Sequence, residues 1–359
     1  MFKKSLFGIF LACQIFCAER IELMSTNGEK DTAVYAAVLE KYHIDATLQG
    51  IQPDHFGSDF KKSQTLFGKF FRKHVWDFPP SVPVESDVRK IILMNIPNHF
   101  YRDYSVAKLP KEKMVLFMWE PFIRLHKLYN KNLHQCFSRI YTWDDDLVDG
   151  VKYFKFYYPV MRPMVSDVVP FEKKKFCTLV SGNALKNPKH PERYPKELYS
   201  ERRKAAEFFQ QVGEEGFDLY GKGWDPNHYT SYRGSCKDKI ETIKNYKFSI
   251  CYENCYDVKG YITEKIFDCF HAGNVPIYWG ASNVTDYIPK DCFIDRRDFT
   301  TLDELYAFLK KMTKAEYEGY IVRIRTFLQS EKAKLFSQEN YEKIFLEAAG
   351  YSISISQPN

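Results

Sequence analysis

The pair Glu264-Lys265 follows a threonine and opens a short stretch with Ile266, Phe267 and Phe270 on one side. Thr263 is a candidate N-cap, so acid and base fall in the first turn of a helix. Backbone N–H groups there point outward and welcome an anion. Lys265 offers a point charge to a diphosphate, and Glu264 suits the hydroxyls of a ribose. An ordinary helix with a solvated ion pair in its first turn carries the same residues. Upstream, Glu197-Leu-Tyr-Ser-Glu-Arg202-Arg203 opens an amphipathic helix, and a guanidinium fork there can bind two phosphate oxygens. Glu120 is a lone carboxylate after the apolar run Met114–Met118, stopped by Pro121. An apolar surround raises such a carboxyl toward the range of a base at neutral pH. Capping the following helix is the alternative. Trp143-Asp144-Asp145-Asp146 has Asp-X-Asp spacing, but a run that ends a strand and caps the next helix explains it without a metal. The 9 histidines make no metal-ligand spacing, and no Walker loop, Gly-x-Gly-x-x-Gly or Gly-x-Ser-x-Gly elbow occurs.

Short apolar runs alternate with amphipathic stretches, which predicts an α/β chain built on parallel sheets. In the first half, 20–24, 89–95, 114–118, 139–143 and 153–157 read as strands. A second alternation runs from Phe176 to about Ile294, after a Pro-containing linker over 158–170. Within it, Phe248–Tyr252 is a strand, 264–271 a helix ended by a left-handed Gly273, and 275–279 the next strand. Phe217–Trp224 reads as a strand running into a glycine loop. Helical stretches follow Thr300, the last of them (330–349) placed to return over the first half. The expected organisation is a leader over 1–18, a first Rossmann-like domain over 19–160, a second over 161–300 and C-terminal helices over 301–359.

At 359 residues the chain is long enough for two cores. A net charge of +6 scattered in short runs favours a polyanionic small ligand and gives no patch for nucleic acid. Lys3-Lys4, an apolar run to Cys17 and small Ala18 resemble a cleavable signal or a short anchor, too brief for a comfortable span. That predicts a secretory or membrane-associated protein. Of 9 cysteines, two (Cys13, Cys17) lie in the leader. The others show no Cys-x-x-Cys pair and read as buried thiols, with one disulfide left open.

The ordered string Cys251-Tyr-Glu-Asn254, Tyr261-Ile-Thr-Glu-Lys265, Gly273-Asn-Val-Pro-Ile-Tyr-Trp-Gly280 and Asp291-Cys-Phe-Ile294 resembles the signature of the α-1,3/1,4-fucosyltransferases, glycosyltransferase family 10. The likeness covers about half the chain, back to Val115, with Tyr252 where the family usually has Phe. It implies a GT-B fold, two Rossmann-like domains facing a cleft, and an enzyme that moves L-fucose from GDP-β-L-fucose to a glycan hydroxyl with inversion. On it, Arg202 (with Arg203 in reserve), Asn254, Tyr261, Glu264 and Lys265 hold GDP-fucose. Glu253 and Phe117 stand near the donor, and Glu120 is the general base. No metal is required, and stimulation by Mn²⁺ or Mg²⁺ stays open. A different nucleotide sugar, or an inactive carbohydrate-binding relative, are the competing readings.

Overall fold

The computed structural model describes residues 20–25, 40–41, 46–50, 88–96, 110–184, 194–212 and 216–351. The expected leader and the Pro79–Pro83 loop lie outside the described residues. Six strands form the first sheet: β1 (Arg20–Ser25), β2 (Ala46–Gly50), β3 (Val88–Met94), β4 (Met114–Met118), β5 (Arg139–Thr142) and β6 (Tyr153–Lys155). They lie in the order β2-β1-β3-β4-β5-β6 with every pair parallel. Five strands form the second: β7 (Lys175–Val180), β8 (Phe217–Tyr220), β9 (Tyr246–Tyr252), β10 (Val275–Trp279) and β11 (Ile294–Asp295). Their order is β11-β10-β9-β7-β8, again all parallel. In this sheet the winding direction reverses beside β7, between β8 and β9, and open parallel sheets bind ligands outside the strand ends at such a reversal.

From residue 110 onward the described α-helices are α1 (Lys131–His134), α2 (Tyr199–Gln211), α3 (Lys239–Ile243), α4 (Glu264–His271), α5 (Val284–Tyr287), α6 (Leu302–Lys311), α7 (Lys314–Leu328), α8 (Glu331–Lys334) and α9 (Gln338–Ala348). Thr301 with Glu304 and Thr313 with Glu316 close reciprocal capping boxes at the starts of α6 and α7. Strand β2 escapes sequence reading because Ala-Thr-Leu-Gln-Gly has neither an apolar run nor clear alternation.

Parallel strands bury both faces, and β4 shows it. Met114, Leu116 and Met118 pack toward Leu128 and Phe137, while Val115 and Phe117 pack on the opposite face. That second face is covered by α9, whose Tyr341 and Phe345 meet Phe117 at 6.0 and 5.8 Å. The C-terminal helix thus returns to the first sheet. Each ring buried in this way contributes roughly 1.5–3 kcal/mol.

A polar joint ties the sheets together beyond β5. The Asp145 carboxylate takes Lys155 Nζ at 2.5 Å from its own side, and Asn283 Nδ2 and the Tyr287 hydroxyl at 2.8 Å from the other. Gly260, at φ +75, brings its backbone against the Trp143 carbonyl, where a Cβ would collide. Residues 144–147 form a turn rather than the expected helix start, with Asp144 Oδ1 accepting the Asp146 N–H at 3.1 Å. The acidic run is therefore a turn whose Asp145 makes an ion pair within its own domain and hydrogen bonds to the other, and the Asn283 amide is committed to it.

Candidate active site

Glu120 leaves the end of β4 on a backbone held from several sides. Its N–H donates to Asn95 Oδ1 at 3.0 Å, as does that of Trp119 at 2.8 Å. The Trp119 carbonyl accepts from Trp143 Nε1 at 3.0 Å and from the Tyr158 hydroxyl. Glu120's own carbonyl accepts the Tyr129 hydroxyl at 3.3 Å. Asn95 sits at φ 64, a left-handed conformation that asparagine tolerates, and this aims its amide at the strand end. The Glu120 carboxyl is half-exposed, 4.0 Å from Arg124 Nε. Burial raises its pKa, outweighing the pull of Arg124 and of Lys265, and Glu264 adds repulsion. Lys265 and Glu264 start α4, which packs on the other sheet, so the first domain's carboxyl feels charges held by the second.

The far wall is built where the second sheet reverses. Arg202, on the first turn of α2, is 2% exposed. Its Nη1 donates to Ser181 Oγ beyond β7, and its Nη2 to the Tyr252 carbonyl and Asn254 Oδ1 beyond β9. The guanidinium stacks over Tyr199 at 4.7 Å. Its Nε finds no hydrogen-bond partner among the described residues. A buried cation in that state is costly until an anion arrives. Arg203 donates instead to Asn183 Oδ1 and the Ala184 carbonyl, at 3.3 and 3.2 Å. Asn254 Nδ2 donates to the Tyr261 hydroxyl at 3.2 Å, and the Tyr261 ring packs on Trp143 at 4.5 Å.

Helix α4 starts as expected, with Thr263 as N-cap and its hydroxyl accepting from the Lys265 N–H. Lys265 Nζ lies 3.0 Å from Glu253 Oε2, 3.0 Å from Thr263 Oγ1 and 3.4 Å from Glu264 Oε1. Burial opposes its charge and Arg202 repels it, yet Glu253 and Glu264 raise its pKa, so it stays protonated. Burial pushes the Glu264 carboxyl up, but Lys265, Lys239 and the local N–H and hydroxyl donors bring it down to about 2.

Two expected residues move elsewhere. Phe117 is fully buried, stacked on Tyr141 at 4.8 Å inside the first domain, and cannot reach a donor. Glu253 is fully buried too; its oxygens take the Thr263 N–H and hydroxyl and the Lys265 ammonium. It positions Lys265 rather than touching a ligand. Gly280 is required beside it, since a Cβ there would lie 2.6 Å from Glu253 Cγ. Lys239, on the first residue of α3, went unrecognised in the sequence. It pairs with Asp268 of α4 at 2.9 Å and adds positive potential at Glu264. Asp238, the N-cap just before it, was the one available signal.

Asp144 acts electrostatically on Tyr129, whose hydroxyl holds the Glu120 carbonyl. Burial raises its carboxyl to about 6, against the Asp146 N–H and with repulsion from Asp146 and Asp145. A carboxyl with a raised folded pKa contributes stability that is full below its unfolded pKa and lost as pH rises through about 6. Asp144→Asn should therefore raise the melting temperature more at about pH 8 than at about pH 4. Equal shifts in thermal melts at the two pH values would contradict this. The seven cysteines from Cys136 to Cys292 are free thiols, buried except for half-buried Cys236. Among the described residues no cluster of His, Cys, Asp and Glu could hold a metal, and no helix is long and apolar enough to cross a membrane.

Residues 193–344, which carry Arg202, Asn254, Tyr261, Glu264 and Lys265, match the model for "Glycosyltransferase family 10 (fucosyltransferase) C-term". This segment is similar to that family's C-terminal domain. It is similar to the α-(1,3)-fucosyltransferase FucT of Helicobacter pylori, 41% identical over 75 residues, 21% of this chain and 15% of the relative. The α-(1,4)-fucosyltransferase of Arabidopsis thaliana is 43% identical over 70 residues, 20% of this chain and 17% of that one. The human 4-galactosyl-N-acetylglucosaminide 3-α-L-fucosyltransferase 9 is 34% identical over 155 residues, 43% and 37%. The chain thus matches well under half the length of these relatives. The fold is GT-B. A crystal structure of an α1,3-fucosyltransferase with GDP superposes with a TM-score of 0.51 at 14% identity, over 94% of this chain and 92% of the other. The same kind of enzyme with GDP-fucose gives 0.50 at 16%, over 95% and 93%.

Proposed function

We propose that the chain is an inverting fucosyltransferase that moves L-fucose from GDP-β-L-fucose to a hydroxyl of an acceptor glycan. The observation that carries this reading is one cleft with a pKa-raised carboxyl, Glu120, on one wall and the cations Arg202 and Lys265 on the other. The family 10 match over the cationic wall and the names of its relatives support the sugar, and the GDP-fucose held by a solved α1,3-fucosyltransferase of the same fold supports the nucleotide.

In this mechanism the diphosphate lies between the unpaired Nε edge of Arg202 and the ammonium of Lys265. Glu264, held ionised, accepts the ribose hydroxyls, and Asn254 stands beside Arg202, fixed by its hydrogen bond to the buried Tyr261. Glu120 takes the proton of the acceptor hydroxyl as that oxygen attacks the anomeric carbon from the face opposite the leaving GDP. The bond to the β-phosphate oxygen breaks, its electrons pass to GDP, and an α-fucoside forms. Diphosphate charge grows in the transition state, so fixed cations there lower the barrier without a metal ion. The N-terminus, as a signal or anchor, would hold the enzyme in the secretory pathway or at a membrane, with glycoconjugates as acceptors.

The test is a donor panel. Hydrolysis and transfer should be found with GDP-fucose and not with GDP-mannose or UDP-glucose; equal use of all three, or of none, would sink the reading. Lys239 offers a finer check through Glu264. Lys239→Met should weaken GDP about fivefold, roughly 1 kcal/mol, in calorimetry. In a Glu264→Gln background the same change should have little effect, because the two residues act as one unit. Additive losses would remove Lys239 from that role.

A further inference from the structure

We infer that Phe122 is the platform on which the acceptor pyranose stacks, next to the carboxyl that would deprotonate it. This rests on the transferase reading and adds the recognition element that the family 10 match, which begins at residue 193, does not contain.

Among the described residues, Phe122 and Phe308 are the exposed phenylalanines, and Phe122 is 44% exposed. Phe308 packs on Phe299 at 5.3 Å, with Tyr320 and Asp298 around a separate groove beyond β11. Phe122 instead lies two residues past Glu120. Its neighbours Pro121 and Ile123 are buried, and the Arg124 and Leu125 N–H groups both donate to the Pro121 carbonyl, at 2.9 and 3.1 Å. The backbone beneath the ring is thus fixed, while Phe122, Arg124 and His126 point outward in alternation. The ring meets Tyr129 edge-on at 5.9 Å and His126 at 6.5 Å. Tyr129 is the residue whose hydroxyl holds the Glu120 carbonyl, and Arg124 is the one paired with the Glu120 carboxylate.

An aromatic ring left in water at the rim of a polar cleft invites an apolar cover. A pyranose carries one: the patch of axial C–H bonds on one face of galactose, glucose or N-acetylglucosamine. Laid on the Phe122 face, that patch leaves the ring hydroxyls at the edge, where Glu120 can reach one of them. A fixed phenyl ring binds with little loss of side-chain freedom, so it orients the sugar at low entropic cost.

The test is steady-state kinetics of wild-type, Phe122→Ala and Phe122→Tyr proteins with GDP-fucose, using the best acceptor from a panel of β-galactosides, β-glucosides and β-N-acetylglucosaminides. Phe122→Ala should raise the acceptor KM about tenfold, with kcat and the donor KM within about twofold, and Phe122→Tyr should restore it. GDP-fucose hydrolysis without acceptor should be unchanged. An acceptor KM unaltered by Phe122→Ala, or a wild-type protein that hydrolyses GDP-fucose yet transfers to no panel member, overturns the platform. A wild-type protein that neither binds GDP nor consumes GDP-fucose overturns the transferase reading itself.

Discussion

Glu120→Gln should lower fucose transfer by about 10²–10⁴-fold while leaving GDP affinity unchanged. The amide keeps the size and the backbone clamp of Asn95, Trp143, Tyr158 and Tyr129, so the strand end stays in place. It loses only the capacity to accept a proton. The base must be ionised to act, and burial raises its pKa above the ordinary value of 4.5. Turnover should therefore fall on the acid side at a higher pH than an unburied glutamate would give. Arg124 lowers that pKa, so Arg124→Ala should move the acid limb further up. Rates across a pH series check both statements. Near-native turnover in the glutamine variant would remove Glu120 from the chemistry.

Lys265→Ala should weaken GDP about 10–150-fold, the 1.5–3 kcal/mol of a charge-assisted contact. Turnover should fall further, by about 10²–10³-fold, because the leaving diphosphate gains charge as its bond breaks. The variant carries a second cost. Glu253 is fully buried and would lose its ammonium partner, and breaking such a pair from one side costs about 3–5 kcal/mol of stability. Adding Glu253→Gln should recover much of the stability and none of the GDP affinity. Calorimetry with thermal melts separates the two effects; recovery of both together would make Lys265 a structural residue.

The cationic wall was legible in the sequence because local rules built it. A threonine cap, an acid and a base in the first turn, and a glycine stop fix α4 without help from distant residues. Arg202 lies one turn into a helix that follows a polar loop, and it closes the wall by reaching two strand ends. Burial in parallel strands was not legible. Both faces of β4 are covered, so alternation could not tell whether Phe117 faced a ligand or α9. Glu253 looked like a site residue because it stands beside Asn254 in the motif. Yet its N–H still pairs with the Trp279 carbonyl, and its side chain turns inward beneath Thr263. Lys239 acts across a helix–helix contact from a segment without a motif. The acidic run 144–146 gave no hint of Asn283 and Tyr287, more than a hundred residues away, which bind Asp145.

The stereochemistry of the product tests the opposed-wall arrangement most directly. Proton NMR of the first fucoside formed from GDP-β-L-fucose should show the α-anomer, as a single displacement assisted by Glu120 requires. A β-fucoside, or release of free fucose with no fucoside in the presence of glycan acceptors, would contradict it.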